Sequence, residues 1–377
     1  GNYDTARVAL WKAIHDTMQI IEPGSYVILE HFADNVEERE LANYGMMFWG
    51  NVNHNYNEAT MGNIPQSNFQ WASHKTRGWS KPHLIAFAES HDEERLMYRN
   101  LNFGLSSGNY NTRNIETAVK RMEMVPLFLL GIPGPKMIWQ FGELGYDFSI
   151  NRCPNGSINN SCRTDPKPIR WDYFVNPGRR YLYNVYAAMN KLRQTEPAFG
   201  TDTFFVSFGA AIKQMRLVHH TMDVAIIGNF GLVTAETPII FTRSGWWYEY
   251  FTGDSVEITN NQRTMSLAAG EYRLYTTKRL APPDLALSQR ELAFKQLGVY
   301  PNPAANEVYI DLGLLPFDGK LRITDVQGRL VTEIATTGFE NEPVRWDLLA
   351  STGNPVPNGL YLITASNGAY GKVLVQR

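Results

Sequence analysis

Two acidic side chains stand out by where they fall in the chain. Glu30 ends the apolar run Tyr26-Val27-Ile28-Leu29, and Asp92 follows Leu84-Ile85-Ala86-Phe87-Ala88 in the stretch LIAFAESHDEER. An apolar run that turns abruptly to charge predicts a strand buried on both faces, with its C-terminal end opening into a polar site. Carboxylates held at such strand ends can divide the labour of acid–base chemistry. One, protonated, gives its proton to a leaving atom, while another, ionised, attacks or steadies developing positive charge. His91, beside Asp92, is a third candidate. Each has a plainer alternative: a strand-end Glu often serves an ion pair, and such a His is often only hydrogen-bonded. Glu89, Glu93 and Glu94 read as a solvated acidic turn.

The elements that must carry these groups alternate. Val8, Trp11, Ile14 and Met18 predict a helix over 5–20, stopped by Glu22-Pro23-Gly24. Strands are expected at 26–29, 45–50, 84–88 and 136–139. A short helical turn at 37–41, a weakly helical 69–76, a long amphipathic helix at 114–130 and a last helix at 179–194 intervene or follow. The second strand ends in the polar stretch NVNHNYN, to which no element is assigned. Alternation of this kind means parallel βαβ units. No Gly-x-Gly-x-x-Gly follows any of these strands, which argues against nucleotide binding. Beyond Pro197 short alternating stretches broken by Gly, Asn and Asp predict an antiparallel sandwich over 200–280, then a linker over 281–296 and a second small β-sandwich over 297–377.

The LIAFAESHDEER stretch resembles the seventh-strand motif of the α-amylase family of glycoside hydrolases (family 13), an apolar strand ending in His-Asp. The helix face Trp11-Lys12-Ala13-Ile14, the turn Pro23-Gly24 and the strand ending in Glu30 are similar to that family's fifth strand and its approach. Gly131-Ile132-Pro133-Gly134-Pro135 and Gly142-Glu143-Leu144-Gly145 resemble the entry and the Gly-x-Glu-x-Gly end of its eighth strand. Thr164–Asp172 (TDPKPIRWD) looks like its tail segment. The resemblance implies an α/β fold for residues 1–199, the second half of a (β/α)8 TIM barrel, followed by two all-β sandwich domains. It implies Glu30 as general acid/base, Asp92 as the non-nucleophilic stabiliser, His91 as a substrate-binding ligand of sugar hydroxyls, and Glu143 as structural. Trp49, His54 and Tyr56 could stack on sugar or fill core. Ser90 stands where the family most often has Asn, a pattern also met in branching-type members. The family's nucleophile, an Asp ending the fourth strand two residues after an Arg, has no counterpart here. The chain opens in the body of a helix and is expected to be a piece of a longer precursor.

Composition adds bounds. With 377 residues, two or three domains are expected. Lys plus Arg number 35 and Asp plus Glu 37, for a formal charge of -2, so nothing electrostatic favours nucleic acid or an anionic membrane as partner. No apolar run reaches the roughly 18 residues of a membrane helix. The only cysteines, Cys153 and Cys162, lie in NRCPNGSINNSC without the further Cys or His a metal site would need. Free thiols and a short-range disulfide both remain open. The disulfide is expected, because the loop has little core of its own, and it would place the protein in an oxidising compartment.

At the C-terminus Val299-Tyr300-Pro301-Asn302-Pro303-Ala304, Asn358-Gly359-Leu360-Tyr361 and Gly371-Lys372-Val373-Leu374 resemble the C-terminal sorting domain of the type IX secretion system. A plain immunoglobulin-like spacer and a sugar-binding module are the alternatives. Together these features lead to an expected secreted, retaining α-glucan hydrolase acting on α-1,4 bonds of starch or glycogen, inactive as this chain alone. A branching-type transferase and a non-catalytic α-glucan-binding surface protein are the competing expectations. The expected partners are an α-glucan and, through open sheet edges, the missing half or a second copy. The resemblance implies no cofactor in this chain. Calcium is frequent in the family, but through ligands mostly in the half that precedes this segment.

Overall fold

A computed structural model of the chain describes residues 2–31, 33–285, 297–312, 319–336, 343–365 and 369–377. They form two compact units, Gly1–Trp171 with Gly178–Pro283, and Asp172–Pro177 with Asp284–Arg377. Of the expected linker, residues 286–296 lie outside the described residues.

The first unit opens on α1 (Thr5–Ile21), where the Asp4 carboxylate caps the free amides of Ala6 and Arg7 at 2.9 and 3.2 Å. There follow β1 (Ile28–Leu29), α2 (Asn35–Tyr44), β2 (Met47–Asn51), α3 (Asn53–Met61) and β3 (Leu84–Phe87). Then come α4 (Leu96–Phe103), α5 (Ile115–Met122), α6 (Met124–Gly131), β4 (Lys136–Met137) and α7 (Pro177–Thr195). The four strands lie side by side in chain order and all run parallel, with Ile28 opposite Met47, Phe48 opposite Leu84 and Ala86 opposite Lys136. Parallel neighbours need crossover connections, and the intervening helices supply them. All four residues of β3 are buried, as its unbroken apolar run requires. Gly50 lets β2 and β3 approach: a Cβ there would stand 2.7 Å from Leu84 Cδ1.

Three differences from the sequence expectation have physical causes. The polar stretch after β2 is α3, because Tyr56, Ala59 and Met61 bury one face and override the poor helix propensity of its asparagines. The expected 114–130 helix is two helices broken at Glu123. Pro126 has no amide hydrogen to give to the Met122 carbonyl, so it is tolerated only in the first turn of a new helix. Helix α4, which packs between α3 and α5, was not foreseen.

The sandwich that follows belongs to the same unit. One sheet joins Phe204–Ser207, Ile212–Leu217, Val224–Asn229, Gly245–Glu249, Ser255–Ile258 and Tyr272–Thr276, and a second pairs Ala235–Ile240 with Gln262–Leu267. This last pair escaped the sequence reading because Pro238 sits inside one strand and polar residues fill the other, which a two-stranded edge ribbon tolerates. The ring of Phe69 ties the sandwich to the α/β elements, stacking on Tyr56 at 4.2 Å and meeting Phe208 at 4.6 Å.

The second unit contains two facing sheets. Gly298–Tyr300, Val308–Asp311 and Val344–Trp346 make one, and Lys320–Asp325, Leu330–Ala335, Gly359–Ala365 and Tyr370–Val375 make the other. Their inner residues, among them Val308, Ile310, Ile323, Trp346, Ile363 and Val373, form a continuous core.

Candidate active site

The C-terminal ends of all four parallel strands open into one cavity of about 230 Å³. From β1 come Glu30 and His31. From β2 come Trp49 and Asn51, from β3 Phe87 and the turn Ser90–Glu93, and from β4 Met137 and Trp139. Glu30, His91 and Asp92 therefore line the same cavity, although a whole βαβ passage separates the first from the other two. Ligand sites of parallel sheets gather at this end, where the loops can be varied without disturbing the core.

Each group is held by its own set of bonds. Behind Glu30, His31 Nε2 lies 2.7 Å from Glu37 Oε1. Glu37 is fully buried and takes a two-pronged pair from Arg7 at 2.7 and 2.8 Å and the Asp4 amide at 2.8 Å. The Arg7 guanidinium chiefly holds the Glu37 carboxyl down to about 2. Glu37 is thus a permanent anion that fixes His31, while its neighbour Glu30 is exposed.

The Ser90–Arg95 turn is braced from inside. Ser90 Oγ accepts the Asp92 amide at 3.0 Å and bonds Glu93. The amide of Asn53, at the start of α3, donates to Ala88 O at 2.8 Å and Glu94 O at 2.9 Å, closing the turn at its base. The Asp92 carboxylate then has two nitrogen neighbours, His91 Nε2 at 3.4 Å and the Arg163 guanidinium Nη2 at 3.2 Å. The His91 ring lies 5.8 Å from the Trp139 ring, and the Arg95 guanidinium sits 5.8 Å over the same indole.

The acidic run is not a solvated turn. Glu89 is buried and accepts the Leu96 amide at 2.8 Å, with burial pushing its carboxyl up. Glu94 accepts from Ser149 Oγ at 2.7 Å and the Ile150 amide at 2.9 Å, so it anchors a loop. Of the three aromatic candidates, Trp49 lines the cavity and is 36% exposed, so a face remains for a ligand. Tyr56 is core, and His54 points to solvent near Gln66. Glu143 lies in a single 3-10 turn away from the cavity lining. His31, Asn51, Asn53, Trp139 and Arg163 were not foreseen. Trp139 alone carried a local signal, as an aromatic at the end of an apolar strand.

Cys153 and Cys162 form a disulfide. Among the described residues no three His, Cys, Asp or Glu side chains converge as a metal site, and no helix is long and apolar enough to cross a membrane.

Comparison with known proteins divides along the chain. Residues 298–376 match the model of the secretion system C-terminal sorting domain. This segment is a type IX sorting domain. It places the protein outside the cell or at its surface, in agreement with the disulfide. Over about three quarters of its length the chain shares its fold with solved α-amylase-type enzymes. An Anoxybacillus α-amylase aligns with a TM-score of 0.53 at 13% identity over 73% of this chain and 56% of that one. AmyP in complex with maltose aligns with a TM-score of 0.56 at 12% identity, over 74% and 62%. CldA, a cyclomaltodextrin glucanotransferase, aligns with a TM-score of 0.54 at 15% identity, over 72% and 54%. The chain thus spans between 54% and 62% of these enzymes' lengths, and the likeness is one of fold. No curated protein sequence matches the chain.

Proposed function

We propose that the first unit is the second half of a (β/α)8 barrel of a secreted, retaining α-glucan-active glycoside hydrolase. The observation that carries this is the convergence of Glu30, His91 and Asp92 on one cavity flanked by the indoles of Trp49 and Trp139. Glycosidic bond cleavage passes through a transition state resembling an oxocarbenium ion, so it needs a carboxyl to protonate the leaving oxygen and carboxylates to face the developing charge. In this reading Glu30 gives and later retrieves the proton, and Asp92 lies against the distorted sugar. His91 holds its hydroxyls, and the two indoles offer apolar faces to pyranose rings. The nucleophile comes from a segment outside this chain, so the chain alone binds but does not cleave. The α-1,4 linkage and the preference for hydrolysis over transfer belong to the same proposal.

Titration of the chain with maltoheptaose, followed by its tryptophan fluorescence, tests binding, and Trp49→Phe and Trp139→Phe should each diminish the change. Maltose release from soluble starch by the 377-residue chain alone would refute the division of labour. A branching-type transferase would instead form α-1,6 branches with the intact enzyme, and Ser90 before His-Asp is the feature that keeps this second reading in play. A purely glucan-binding surface protein would keep its affinity and show no turnover in any form.

A further inference from the structure

Arg163 is the residue directly after the disulfide-closed segment Cys153–Cys162. Its Nη2 donates both to the main-chain oxygen of Asp92 and, at 3.2 Å, to its carboxylate Oδ1. An exposed ion pair by itself is worth little, because two long side chains must be ordered to make it. Here the ordering is built into the loop. The segment is cross-linked by Cys153–Cys162, and the Asn159 amide donates to Asn151 O at 2.9 Å. The amine of Lys167 ties its exit by donating to Cys162 O at 2.7 Å and Asp165 O at 2.9 Å. The start of the same loop is pinned to Glu94 through Ser149 Oγ at 2.7 Å and the Ile150 amide at 2.9 Å. The loop therefore docks on the Ser90–Arg95 turn twice, at Glu94 where it begins and at Asp92 where it leaves.

We propose that Arg163 is a positioning residue for Asp92, presented by the disulfide-closed loop so that the turn carrying His91 and Asp92 is fixed at the cavity rim. The order already present in the loop removes most of the entropy that a free arginine would lose on pairing. Cutting the cross-link returns that entropy and loosens Asp92.

The test uses the full 377-residue chain and two readouts. The first is backbone hydrogen exchange of residues 90–94 without ligand. Arg163→Met should speed it by about fivefold, Cys153→Ser/Cys162→Ser by about threefold, and the two combined by little more than Arg163→Met alone, because both act through one contact. Arg163→Lys should restore part of the protection, since one donor remains. The second is maltoheptaose affinity by intrinsic tryptophan fluorescence, which should fall by a similar factor in the same order. This second readout rests on the glucan-binding proposal. If the unmodified chain binds no maltoheptaose, that proposal fails and the exchange readout still decides this one. Unchanged exchange at 90–94 in Arg163→Met, additive effects of the two changes, or tighter oligosaccharide binding without the arginine would each overturn it.

Discussion

Where the α/β elements of the first unit meet its sandwich, charged side chains are buried and bonded; at the cavity rim they are exposed and held from one side only. Arg121 has no exposed surface and donates to the carbonyls of Ala59, Thr60, Phe230 and Gly231, at 2.9, 2.6, 2.6 and 3.1 Å. Lys213 is equally buried, within 2.9 Å of Ser67 Oγ and 2.5 Å of Phe208 O, and Glu123 accepts from Tyr272 OH at 2.7 Å. At the rim His91 and Asp92 keep side chains that are 63% and 49% exposed. A buried charge with every partner supplied by the fold can do nothing but hold that fold together. An exposed charge on a braced turn keeps its unused bonding capacity for a ligand. The difference separates frame from site without reference to any relative.

Four substitutions would break or sharpen that distinction. Glu30→Gln should have the largest effect: if Glu30 is the general acid/base proposed above, turnover of the longer enzyme should fall by about 10²- to 10⁴-fold, with the melting temperature unchanged. A steady-state assay beside a melting curve checks both halves. Arg121→Met should do the reverse. It strands four buried carbonyls and should lower the unfolding free energy by about 3 kcal/mol in urea titration, leaving the rim geometry to whatever remains folded.

Lys213 gives a pH signature. Burial pulls its amine down to about 7, from an ordinary value near 10.5. Between those values the unfolded chain holds a proton that the folded chain does not, so stability should rise with pH across that window. Below pH 7 both states are protonated and the slope vanishes. Lys213→Met should flatten a slope of at most about 1.4 kcal/mol per pH unit, read from urea midpoints at pH 7 to 9. The amine donates to three acceptors, Ser67 Oγ, Phe208 O and Ala210 O, while the Ser67 hydroxyl gives its own hydrogen to Ile64 O. The smallest change is expected at Trp49→Ala, which should weaken maltoheptaose binding by about threefold to tenfold with no effect on stability, the scale of one aromatic contact.

What the sequence made legible follows from range. Glu30, His91 and Asp92 could be placed at strand ends because the signal is local, an apolar run that stops at charge. The alternation of both sandwiches was visible for the same reason in strands such as Gly359–Ala365, whose residues alternate between core and solvent. Arg163 could not be found that way: it reaches Asp92 across 71 positions, and nothing near either residue announces the other. The pair His31 and Glu37 was equally silent, since a buried carboxylate beside a helix start reads as an ordinary surface acid until Arg7 is seen to fill its other side. Helix α3 misled because its asparagines, poor helix formers in isolation, are recruited for bonds: Asn57 donates to Asn53 Oδ1 at 2.7 Å, and Asn53 in turn to the turn beyond β3.

The bridge made by Asn53 has a consequence for how a guest would be received. One side-chain amide spans the two limbs of a loop, Ala88 on the way in and Glu94 on the way out, so the limbs cannot part without breaking one of these links. The loop's shape is settled before anything arrives, and an incoming molecule meets a finished surface and need not mould one. Selectivity at such a surface is exercised by rejection: a molecule of the wrong outline finds no give.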